Sequence, residues 1–69
     1  PAQNEIHCVL PENENFDIVV FDVSRKVVLH PDKIYSSTEN IINIGALTPG
    51  IYFIEARGEL VLRGKFVKE

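Results

Sequence analysis

The sequence has a single cysteine and neither methionine nor tryptophan. One cysteine makes no internal disulfide, and no Cys/His cluster stands at metal-ligand spacing. No apolar run approaches the ~18 residues of a membrane span. The four glycines include no phosphate-cradling loop ahead of a helix. Seven bases against ten acids give a net charge of −3. That balance lacks the clustered Lys/Arg footprint of a nucleic-acid binder. At 69 residues the chain is one domain at most. A sheet domain below ~70–80 residues has little core and usually needs a staple or a partner. The sequence starts at Pro1 and shows no basic n-region or apolar h-region of a signal peptide. A module of a longer chain is therefore expected, not a free-standing enzyme.

What is plentiful is β-branched. Val and Ile number eight each, against three Ala and five Leu. Such side chains lose freedom in helices and pack well on pleated sheets, so the chain is expected to be β-rich. Charge is unevenly placed. Residues 1–24 carry five acids (Glu5, Glu12, Glu14, Asp17, Asp22) and no Lys or Arg, and residues 25–69 carry seven bases and five acids. The plain expectation is that oppositely charged strands lie near each other in a sheet.

Turn residues divide the chain into short strands. Ile6–Leu10 is an apolar run ended by Pro11, and Glu12–Asn15 is polar and turn-like. Phe16–Val23 reads as the strongest strand, with Phe16, Ile18 and Val20 on one face and Val19 and Phe21 on the other. Apolar residues on both faces predict a central strand. Ser24-Arg25 turns the chain into a hairpin over Lys26–His30, ended by Pro31-Asp32. Lys33–Asn40 reads as a connection holding at most a short edge strand, and Ile41–Ile44 as another strand. Pro49-Gly50 is set for a type II turn, where Gly accepts positive φ.

The last twenty residues carry most information. Ile51–Arg57 and Leu60–Lys68 flank Gly58-Glu59, a hairpin signal. Tyr52, Ile54 and Ala56 share a face, as do Leu60, Leu62, Gly64 and Phe66. Facing these sets together excludes a two-residue loop, because a one-residue slip would turn one set outward. An odd loop pairs Tyr52 with Phe66, Ile54 with Gly64 and Ala56 with Leu62, and sets Glu55 opposite Arg63. The fold expected is an all-β, immunoglobulin-like antiparallel β-sandwich of about seven short strands. Within one domain over 1–69, residues 1–15 form a leading strand and linker, and 16–69 the core.

No catalytic set is legible. His7 and Cys8 are adjacent, so on a strand they point to opposite faces, and a nucleophile needs its base within ~3 Å. Cys8 reads as a half-buried small hydrophobe. Asp17, Asp22, Asp32 and Glu39 lack calcium-loop spacing. No enzyme activity, cofactor, metal or nucleic-acid partner is expected.

Three segments have a family-like spacing. They are Asp22-Val23-Ser24-Arg25-Lys26-Val27-Val28, Ile44-Gly45-Ala46-Leu47-Thr48-Pro49-Gly50-Ile51-Tyr52-Phe53-Ile54, and Gly64-Lys65-Phe66-Val67-Lys68. In this order they resemble the C-terminal sorting domain of the type IX secretion system. That family reads roughly as D-x-x-G-R-x-V, then L-x-x-G-x-Y, then a terminal K-x-hydrophobic-x-K. The resemblance covers about Phe16–Glu69. The glycine before the arginine is absent, with Ser24 in its neighbourhood, which predicts a hairpin one residue shorter. The family's upstream Asn-Pro segment is not evident near Pro1–Glu5.

The resemblance implies a substrate of the secretion machinery, not a catalyst. Such a domain ends secreted proteins of certain Gram-negative bacteria. It takes the parent cargo from periplasm through an outer-membrane translocon to the surface or medium, and a sortase-like protease then usually removes it. It implies Gly64, Lys65, Phe66, Val67 and Lys68 as candidate translocon-recognition residues, a terminal strand able to add to a partner's sheet. The residues equally allow Phe66 to fill core, with Lys65, Val67 and Lys68 facing out and the lysines only protecting an edge from aggregation. Asp22, Arg25, Leu47, Gly50 and Tyr52 are motif residues expected to serve mainly the fold. Exposed Ile51 and Phe53 would add an apolar patch. A dimer through a sheet edge, or through Cys8 in an oxidising compartment, is a further partnership the sequence allows. The competing readings are an immunoglobulin-like accessory or adhesion module retained in a surface protein, and a small subunit completing another protein's sheet.

Overall fold

A computed structural model of the chain describes residues 3–11, 14–31, 34–35 and 39–69. The strands are β1 (Glu5–Val9), β2 (Phe16–Phe21), β3 (Val27–Leu29), β4 (Ile34–Tyr35), β5 (Glu39–Asn43), β6 (Gly50–Arg57) and β7 (Val61–Lys68). β1 and β5 form a two-stranded sheet, and β3-β2-β6-β7 form a second sheet to which β4 is added beside β2. All pairings are antiparallel. The expected sandwich is therefore present. Glu12, Asn13, Asp32 and half of the expected Lys33–Asn40 connection (Lys33, Ser36, Ser37 and Thr38) lie outside the described residues.

Alternation explains the core. Phe16, Ile18 and Val20 point inward from β2 and are buried, and Val19 on the opposite face is covered as well. β2 is central, paired with β6 on one edge and β3 and β4 on the other, while Phe21, on the same face as Val19, is half-buried. Ile42 and Ile44 meet this face from the smaller sheet, and Leu10, Tyr35 and Ala56 complete the buried cluster.

Several boundaries differ from expectation. β2 ends at Phe21, since Asp22 folds back into the following turn, two residues before Val23. β5 begins at Glu39, two residues before Ile41, because Asn40 pairs with Cys8 and donates a side-chain hydrogen bond to the Cys8 carbonyl. Pro49-Gly50 makes no type II turn: Gly50 has φ 159°, extended backbone, and already pairs with Lys68.

The β6–β7 hairpin has the expected register, with Tyr52 opposite Phe66, Ile54 opposite Gly64 and Ala56 opposite Leu62. Arg57 pairs with Val61, so the loop is three residues, Gly58 to Leu60. Leu60 was expected on the inward face but sits in this loop, 66% exposed. Gly58 is required by space. A Cβ there would lie 2.9 Å from Phe16 Cε1 and 3.0 Å from the Asn15 carbonyl oxygen. Glycine lets the hairpin end close over the Phe16 ring.

The charges sort by sheet more than by neighbouring strand. Among the described residues, every Lys and Arg belongs to the larger sheet or its hairpins, while the β1–β5 sheet carries Glu5 and Glu39 and no base. Asp17 opposite Arg57 and Glu55 opposite Arg63 are the places where strands of opposite charge meet.

Candidate functional site

The three motif segments, distant in sequence, converge at one end of the larger sheet. Phe21, the last residue of β2, stands opposite Phe53, and Phe53 stands opposite Lys65. Gly50, Ile51 and Tyr52 pair with Lys68, Val67 and Phe66. The middle and last segments are thus one ladder, and the Asp22–Val28 hairpin abuts its side.

Asp22 organises that hairpin. Its carboxylate oxygen accepts from the Ser24 amide at 2.9 Å, the Ser24 hydroxyl at 2.6 Å and the Lys26 amide at 3.0 Å. Its carbonyl accepts from the Arg25 amide at 3.0 Å. The Ser24 hydroxyl first, then the Lys26 amide, hold the Asp22 carboxyl below its ordinary value. A folded-state value below the unfolded one means this turn contributes stability above the unfolded value, lost as pH falls through the folded one.

Arg25 has φ 70°, the left-handed conformation that favours glycine. Counted from Asp22, the glycine of the D-x-x-G-R-x-V spacing would stand at Arg25, the one described non-glycine residue in this conformation. An L-residue in this well costs about 1–2 kcal/mol, partly offset by glycine's greater unfolded-state freedom. Arg25→Gly is expected to stabilise the domain by about 0.5–1 kcal/mol in urea melts. An unchanged or lowered midpoint would count against this account of the turn.

Leu47 and Tyr52 brace the start of β6. Leu47 packs on the core, and its amide donates to the Ile44 carbonyl at 3.0 Å. The Tyr52 hydroxyl donates to the Thr48 carbonyl, and its ring stacks on Phe66 with centroids 5.5 Å apart. These contacts fix the ladder that carries Gly64–Lys68.

On β7, Lys65 and Val67 face outward, Phe66 is half-buried and Gly64 is open. Lys68 does not face outward with them. It shares the inward side with Phe66 and is 8% exposed, since a lysine stem is apolar enough to be covered while its ammonium reaches for water. Ile51 and Phe53 lie beside Val67 and Lys65, at 47% and 42% exposure, and form the expected apolar patch.

Sequence reasoning missed two features. The first is a cavity of about 250 Å³ lined by Phe21, Arg25, Phe53, Glu55 and Arg63 at the convergence point. Beside it Arg57 lies over the Phe21 ring at 5.7 Å. Glu55 accepts from Arg57 at 3.0 Å and Arg63 at 3.1 Å, and these two bonds hold its carboxyl below the ordinary value. The second is a groove of about 680 Å³ between β1 and β7, reaching Ile6, Cys8, Ile54 and Phe66. Partial burial in this groove pushes the Cys8 thiol up, leaving less thiolate for disulfide chemistry. The period-2 pattern fixes the faces of Phe21 and Phe53, but the offset between the sheets is not written in any one strand.

Among the described residues, no three His, Cys, Asp or Glu side chains gather as a metal site. His7 meets Glu5 at 3.3 Å and His30 meets Asp17 at 2.9 Å, both on the surface.

No curated protein and no solved structure matches the chain. A family model described as the secretion system C-terminal sorting domain matches residues 1–69. The chain belongs to this family, the C-terminal sorting domains of type IX secretion.

Proposed function

We propose that residues 1–69 act as one sorting unit, with 1–15 as leading strand and linker and 16–69 as core, read by the translocon through β7. The family supports the coarser statement: the domain is a type IX secretion signal attached to a cargo protein that is exported through the outer membrane. In the finer reading the cargo waits in the periplasm. A translocon component pairs with the free edge of β7, the cargo crosses, and a sortase-like protease at the surface then removes the domain. Gly64, Lys65, Phe66, Val67 and Lys68 carry recognition, while Asp22, Arg25, Leu47, Gly50 and Tyr52 hold the strand in place.

One observation supports this most. Among the described residues β7 has a strand partner on one side only, β6, and its ladder is braced by the other motif segments. An open edge offers main-chain hydrogen bonds for affinity and alternate side chains for selectivity. Deleting Gly64–Glu69 from the parent protein is expected to leave it in the periplasm, as read by surface labelling and fractionation. Surface delivery of the shortened protein would overturn the assignment of recognition to β7.

A further inference from the structure

The open edge of β7 has a chemical bias. Arg63, Lys65 and Lys68 lie within Val61–Lys68, and that strand holds no acid. Arg63 is partly neutralised by Glu55, 3.1 Å away, whereas Lys65 has no ion pair among the described residues. Among the described residues two strands oppose the larger sheet on its inward side, and Ile54, Leu62 and Phe66 are half-covered. Gly64 places no side chain over this surface: a Cβ there would approach the Ile54 side chain to 3.3 Å, so glycine gives Ile54 its room on the groove floor.

From these observations we infer that the β7 edge accepts an extended segment of a partner protein that alternates carboxylate and apolar side chains. This rests on the reading of β7 as the recognised strand and specifies its partner. Added antiparallel, such a segment sets its carboxylates opposite Arg63 and Lys65 on the outer face. Its apolar side chains then fall opposite Gly64 and Phe66, over the groove bounded by Ile6 and Cys8. A second copy of this chain fits poorly. With inward faces aligned, registers joining most of two β7 strands set Arg63 opposite Arg63, Arg63 opposite Lys65, or Lys65 opposite Lys65. Like charges directly opposite are destabilising.

The test uses residues 1–69 and a labelled peptide of alternating glutamate and valine, with an otherwise identical lysine–valine peptide beside it. Fluorescence anisotropy is expected to show binding of the glutamate peptide roughly tenfold tighter than the lysine one, weakening with added salt. Arg63→Glu with Lys65→Glu should reverse that preference. Lys65→Glu alone, which keeps the Glu55–Arg63 pair, should reduce it, with circular dichroism confirming the fold of each. Equal binding of the two peptides, or binding of neither, overturns the acidic-partner inference. Surface delivery of cargo lacking Gly64–Glu69 would instead overturn the reading of β7 on which it rests.

Discussion

Replacing Phe16 with alanine is expected to leave the domain largely unfolded at room temperature. The ring is 1% exposed, and it is the largest of the fully buried side chains. It sits where β2 leaves the preceding segment, inside the cluster of Ile18, Ile42, Ile44 and Ala56. The β6–β7 loop rests on it through Gly58. A Phe→Ala change in such a site costs about 3–5 kcal/mol, because the lost burial adds to a cavity the backbone cannot close. A core of this size rarely supplies more than roughly 3–5 kcal/mol in total, so the two quantities nearly cancel. Far-ultraviolet circular dichroism and a urea melt read the outcome directly. Phe53→Ala serves as the comparison, since that ring is 42% exposed and its loss leaves no buried void. A cooperative Phe16→Ala melt close to that of the parent would contradict this account of the core.

Much of this architecture is legible in the sequence, for a specific reason. Strand side chains alternate with period two, so parity alone decides which residues can face each other. Parity sets Tyr52 opposite Phe66 and excludes an even loop at Gly58. It also assigns both apolar faces of β2 to a central position. Parity reaches Lys68 as well, which shares the inward side with Phe66, but its charge argues for the outer face. Its stem is nonetheless covered, at 8% exposure, where β7 pairs with Gly50 at the start of β6.

What was not legible depends on tertiary placement. The close approach of Gly58 to Phe16 requires knowing that the hairpin end folds over β2. A glycine next to a turn signal invites an argument from φ, and at Gly58 the decisive factor is distance. At Gly50 the Pro-Gly pair suggests a turn, and the chain there is already a strand paired with Lys68. The one left-handed residue among the described non-glycine residues is Arg25, which no propensity would select. There the Asp22 carboxylate, by accepting from Ser24 and Lys26, determines the turn and carries Arg25 with it. The start of β5 at Glu39 was hidden for a similar reason. Glu39 and Asn40 are polar, and their strand geometry comes from pairing with Val9 and Cys8.

The candidate site divides along the same line. The three motif segments were legible one by one from spacing, while their convergence at one end of the sheet follows from the β2-β6-β7 order. The cavity at Phe21 and Phe53 and the groove beside Cys8 emerge only when strands of different segments are brought together. Within each segment the physical roles separate cleanly. Asp22, Leu47 and Tyr52 make their polar and apolar contacts within the fold, whereas Lys65 and Val67 remain exposed on the outer face of β7.

The measurement that tests the central claim most directly is an export assay on residues 1–69 alone. The domain is fused behind a signal peptide and a folded fluorescent reporter. The fusion is expressed in a bacterium with an active type IX system and in a translocon-deficient strain of it. If the domain is a self-contained sorting signal, reporter reaches the surface or medium in the competent strain and stays in the periplasm of the deficient one. The size of the exported reporter then shows whether the domain is removed. Intact, folded fusion retained in the periplasm of both strains would contradict the account.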